Sequence, residues 1–173
     1  SERSGWGHLY LYDLNSGELK HQITGAAASD GEPSANNSEK WLVRNILHVD
    51  TEKRELLVQT AARHPDISPY YQDICKVNID SGALTPLVEG NFDFAVNLPL
   101  EFNSFVYKSY TFSDGDSGVS PSGQYLVTTA SRVDTVPVST LIDRDGKEIL
   151  TLETCDVSSL PSDWQWPEPV KLK

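Results

Sequence analysis

Apolar and polar residues alternate with a period of about two along most of this chain, the signature of half-buried strands. HLYLYDL, with Leu9, Leu11 and Leu14, and ELKHQIT flank Asn15-Ser16-Gly17. A turn of that composition, whose glycine can take a positive φ, predicts a hairpin. WLVRNILHVD and RELLVQTAA form a second hairpin around Thr51-Glu52-Lys53, and PYYQDICKVNI and ALTPLVE a third around Asp80-Ser81-Gly82. Further on, Ser120-Pro121-Ser122-Gly123 supplies a turn before QYLVTTASR, PVSTLIDRD and, after Gly146, KEILTLE. The stretch from Gly25 to Lys40 has no periodicity and reads as a mobile surface loop.

These strands repeat. LLVQTAAR, ending at Arg63, returns 69 residues later as YLVTTASR, ending at Arg132. LYLYDLNSGEL, from Leu9, returns 65 residues later as ICKVNIDSGAL, and TLIDRDGKEIL, from Thr140, repeats it with one residue fewer. Two strand patterns recurring in fixed order mean one multi-strand unit copied along the chain. Four antiparallel strands joined by short turns are a propeller blade. The expected fold is therefore all-β: a partial β-propeller with about two complete four-stranded antiparallel blades, a half-blade and an exit linker.

The corresponding boundaries are a half-blade at 1–24, a loop at 25–40, a blade at 41–89, an insertion plus blade at 91–153, and a linker at 154–173. The segment Asn91 to Asp116 is dense in aromatics, and its alternating SFVYKSYTF is expected to supply the inner strand of the second blade. A half-blade and two blades cannot close a ring of four or more. The chain also opens in mid-pattern, so it reads as a piece that needs neighbouring blades to cover its apolar sheet faces. Trp164 and Trp166 are expected to pin the exit segment against apolar surface.

Composition narrows the partners. The chain has 173 residues, 38% of them hydrophobic, enough to bury a core. Its 25 acidic against 14 basic residues give a net charge of −11, with no Lys/Arg cluster. Counterion release requires several cations on one face, so nucleic acid is a poor partner. No apolar run approaches the roughly 20 residues that span a bilayer, so this segment inserts in no membrane.

Candidate chemistry is sparse. A nucleophile elbow needs G-x-S-x-G, whereas Gly118-Val119-Ser120-Pro121-Ser122 lacks the final glycine and puts proline after the serine. Proline there removes an N–H that an oxyanion hole would use, so Ser120 reads as a turn residue. His8, His21, His48 and His64 show no ligand spacing. Cys75 and Cys155 read as packing thiols rather than a disulfide or a metal pair. Arg63 and Arg132, the latter close to Asp134, occupy equivalent repeat positions; structural pairing outweighs ligand contact for them. Asn36-Asn37-Ser38 is a glycosylation sequon, meaningful only in a secreting eukaryote. No catalytic, cofactor-binding or metal-binding residue is assigned, and no cofactor is expected.

Taken together, GWGHLYLYDLNSGELKHQIT, YYQDICKVNIDSG, VSPSGQYLVTTASRVDTVPVSTLIDRDGKEILTLE and the exit WQWPEPVKLK resemble the C-terminal propeller blades of dipeptidyl peptidase IV and its bacterial relatives in the prolyl oligopeptidase family. The resemblance implies a serine peptidase that releases N-terminal dipeptides. In that family an α/β-hydrolase domain carries the Ser, Asp and His, and the propeller gates substrate access. None of those catalytic motifs can be placed on this sequence, so the segment itself is expected to be inactive. The implied partners are the missing blades and hydrolase domain of the parent chain, the parent's peptide substrate and a second copy in a homo-oligomer. The implied location is periplasmic, secreted or cell-surface. A propeller-type binding or assembly module without enzymatic activity is the main alternative, and a sandwich built from the same hairpins is a third.

Overall fold

The computed structural model describes residues 2, 5–25, 40–96, 118–168 and 170. All regular structure among them is β, and no helix long and apolar enough to cross a membrane is present among them. The chain divides into two units, Ser1–Asp93 and Phe94–Lys173.

In the first unit, β1 (Tyr10–Tyr12) and β2 (Leu19–Gln22) form a two-stranded hairpin. Next, β3 (Leu42–Asp50), β4 (Glu55–Ala61), β5 (Gln72–Asn78) and β6 (Leu84–Val88) form an antiparallel sheet in sequence order. The turn glycines Gly17 and Gly82 both have φ of 71°, the left-handed conformation that Asn-Ser-Gly and Asp-Ser-Gly turns demand.

Alternation decides what the first sheet buries. Cross-strand partners Leu56↔Val77 and Val58↔Cys75 lie on one face. They form a core with Ile79 and with Ile23 from the hairpin, against which Leu9 and Leu11 also pack. Leu57 and Ile74, which point to the opposite face, are fully buried too. A sheet buried on both faces is what a blade inside a stack requires, and each such side chain contributes roughly 1.5–3 kcal/mol relative to exposure. The buried His8 ring meets Trp41 edge-on, with centroids 4.9 Å apart.

In the second unit, β7 (Asp93–Ala95), which begins at the boundary residue, β8 (Tyr125–Arg132), β9 (Thr135–Asp143) and β10 (Glu148–Thr154) form a sheet of order β10-β9-β8-β7. Phe94, Val96, Val119, Leu126 and Ile142 are its buried apolar residues. Every residue of β10 is exposed, including Ile149, Leu150 and Leu152.

Two expectations need adjustment. The strand beside β8 is the short β7, where Phe94 and Val96 are buried on either side of exposed Ala95. The stronger alternation of SFVYKSYTF had pointed to that segment instead; it lies outside the described residues, as do most of the 25–40 loop and the sequon. The second difference is in the exit linker, where Trp164 and Trp166 are 49% and 38% exposed and stack edge-to-face on each other, centroids 6.4 Å apart. Among the described residues the segment is held by Cys155 N–H to Pro137 C=O at 3.1 Å and by local turns such as Trp164 N–H to Pro161 C=O at 3.0 Å.

Candidate functional site

Charged side chains concentrate where three consecutive strands of the first sheet end together. β4 closes at Ala61, after which Ala62 adopts a left-handed φ of 62° and the chain turns through Arg63 and His64. The register Thr60↔Asp73 sets Asp73 within reach of both side chains. On the other side of β5, the pairing Ile74↔Val88 brings Glu89, just past the end of β6, alongside.

The resulting cluster is compact. Arg63 Nη1 donates to Asp73 Oδ2 at 3.4 Å, to Glu89 Oε2 at 3.3 Å and to Cys75 Sγ at 3.2 Å. His64 Nε2 lies 3.2 Å from Asp73 Oδ2 and 3.3 Å from Glu89 Oε2. That nitrogen is buried, yet its orientation closes a hydrogen bond to neither carboxylate. Gln72 holds Asp93, its backbone N–H and Nε2 each 3.1 Å from Asp93 Oδ1.

Burial sets the electrostatics. The Asp73 side chain is 5% exposed, and desolvation pushes its carboxyl above the usual range against the opposing pull of Arg63 and His64 and a hydrogen bond from the Gly90 N–H. Burial likewise pushes the Cys75 thiol up to about 11, so at neutral pH it is a protonated packing group and no nucleophile. The dent over the cluster, bordered by Ile67, Ser68 and Tyr71, is too tight for even a water-sized guest. A peptide or organic ligand does not fit there.

A larger concavity, about 790 Å³, runs beside the start of β3, lined by Trp6, Gly7, Arg44, Asn45 and Gln72 among others. Among the described residues it holds no acid–base pair with a nucleophile, and Gly7 C=O closes one side of it by accepting the Val43 N–H at 2.7 Å.

The remaining sequence candidates are placed as follows. Arg132 forms a fork with Asp134, Nε to Oδ1 at 2.7 Å and Nη2 to Oδ2 at 2.5 Å, so both repeat-equivalent arginines are ion-paired within their own sheets. Ser120 Oγ accepts the Tyr125 N–H at 3.1 Å and meets Ser122 Oγ at 3.3 Å, the bonding of a turn residue. His21 Nε2 meets Ile79 C=O at 2.8 Å, and His8 Nδ1 lies 3.3 Å from Thr24 Oγ1. Both are committed to packing. Cys75 and Cys155 are free thiols, the first buried and the second exposed. Sequence reasoning missed the convergence of His64, Asp73 and Glu89, because only the strand register brings them together. It also missed the Arg54–Asp80 fork, at 2.6 Å for both bonds, which joins the β3–β4 and β5–β6 turns.

Comparison with known proteins now adds to this geometry. Residues 1–137 match the family model described as Dipeptidyl peptidase IV (DPP IV) N-terminal region. A search of curated protein sequences gave no match. Among solved structures, the crystal structure of Porphyromonas gingivalis dipeptidyl peptidase 4 superposes with a TM-score of 0.56 at 23% sequence identity, over 88% of this chain and 16% of that one. A protein of Bacteroides ovatus ATCC 8483 assigned as a dipeptidyl aminopeptidase IV gives a TM-score of 0.57 at 20% identity, over 89% of this chain and 19% of that one. At such identities the likeness shows the fold, and this chain spans under a fifth of either structure.

Proposed function

This chain belongs to the dipeptidyl peptidase IV N-terminal region family, and on that premise we propose that it forms non-catalytic propeller wall of a serine exopeptidase that releases N-terminal dipeptides. Its units are later ones of the propeller, a half-blade at 1–24, a blade at 41–89 and an insertion plus blade at 91–153, followed by a linker at 154–173 leading to an α/β-hydrolase domain. They gate the active site by size, admitting flexible peptide ends and excluding folded proteins, so specificity comes from access more than from contact. The observation that carries this reading is the family match across residues 1–137, over an all-β chain with four-stranded antiparallel sheets. The serine nearest to an elbow pattern, Ser120, supports a wall role, since its hydroxyl serves a turn.

The test compares two preparations on a chromogenic dipeptide substrate with proline in the second position. The 173-residue chain alone gives no turnover, whereas the parent protein, with its downstream sequence, releases the dipeptide. Turnover by a clean preparation of the isolated chain contradicts the proposal. So does a parent protein that lacks a hydrolase domain, which would instead favour a binding or assembly module.

A further inference from the structure

We propose that His64, Asp73 and Glu89 form a binding site for one divalent metal ion of the zinc class, with Arg63 the resident cation that the metal displaces. One imidazole nitrogen and two carboxylate oxygens are a donor set that zinc accepts. Their three nearest atoms lie within 4.8 Å of one another. A tetrahedral ion with bonds of about 2.0–2.2 Å separates its ligands by roughly 3.3–3.6 Å. The distances from His64 Nε2 to Asp73 Oδ2 and to Glu89 Oε2, 3.2 Å and 3.3 Å, already come close to that spacing.

Two features of the cluster favour a cation at this position. The first is His64 Nε2, a buried polar atom that faces both carboxylates and bonds to neither. Such an atom is costly to bury unpaired. The second is Arg63, whose contacts of 3.3–3.4 Å to the two carboxylates are long for charge-assisted bonds. Arg54, by contrast, closes both bonds to Asp80 at 2.6 Å. Arg63 supplies one positive charge against two negative ones, whereas a divalent ion cancels both and uses the imidazole as well. Bound there, it would cross-link the ends of β4, β5 and β6.

The experiment titrates the chelator-treated full chain with zinc chloride at neutral pH, following heat of binding and thermal unfolding. One equivalent binds and raises the unfolding midpoint by mass action. His64→Gln and Glu89→Gln each weaken binding at least about tenfold, the scale expected when a metal site is disturbed. Glu89 is 43% exposed, so its replacement leaves the core intact and decides the matter even if His64→Gln unfolds. No stoichiometric binding, or an affinity unchanged by Glu89→Gln, overturns the proposal.

Discussion

Asp13, Asn78 and Asp143 recur at intervals of 65 residues and perform one task. In each, Oδ1 accepts two backbone N–H groups of the following turn: Asn15 and Ser16, Asp80 and Ser81, and Asp145 and Lys147. Asn78 shows that the amide oxygen suffices, so Asp13→Asn keeps the turn and removes only the charge. That charge is held well below the usual carboxylate range, at about 2, by the Ser16 N–H first, then by Lys20 and the Asn15 N–H. A carboxyl depressed on folding stabilises the fold above its ordinary value of 3.8 and loses that contribution as pH falls through 2. Unfolding midpoints should therefore favour the wild type over Asp13→Asn above about pH 4, with the gap narrowing as pH falls and closing below about pH 2. A pH-independent gap would show that the turn, and not the charge, was lost. The chemistry of such turns was legible in the sequence because it is local. The Arg63 cluster was not, since Asp73 and Glu89 meet His64 only through the β4–β5–β6 register, and no short-range spacing encodes that.

Hairpins were the elements most readable in advance, because alternation and a glycine turn specify both strands and their join. What lies against a hairpin is set by tertiary packing, and Gly17 and Gly82 separate the two. Both have φ of 71°, but a Cβ on Gly17 meets nothing within 4 Å, whereas one on Gly82 falls 2.5 Å from the Ile23 carbonyl oxygen. Gly17→Ala should cost only the left-handed strain of about 1–2 kcal/mol. Gly82→Ala carries the same strain and also pushes the β5–β6 turn off the β1–β2 hairpin, so its loss should exceed that of Gly17→Ala by about 1 kcal/mol or more. Urea unfolding of the two variants checks this; equal losses would mean that the hairpin is not seated on the sheet as described. The β7 strand was the element least readable. Three residues with buried Phe94 give too short a pattern to compete with the aromatic run downstream.

For the whole molecule, the internal repeat announced the architecture before any single residue did. The 69-residue recurrence ending at Arg63 and Arg132 falls on β4 and β8, the strands that are second from the end in their respective sheets. Each of the two arginines pairs inside its own sheet, Arg63 with Asp73 on β5 and Arg132 with Asp134 two residues on. Ile149, Leu150 and Leu152 of β10 are exposed, as are Trp164 and Trp166 beyond it, and on the proposed reading neighbouring blades cover this apolar surface. The most direct measurement is a crystal or cryo-electron-microscopy structure of the parent protein at its natural length. It should show β3–β6 and β7–β10 as consecutive blades of one ring, with a hydrolase domain following residue 173. A self-contained sandwich, with these ten strands sealing one another's apolar faces and no further blades, would contradict the account.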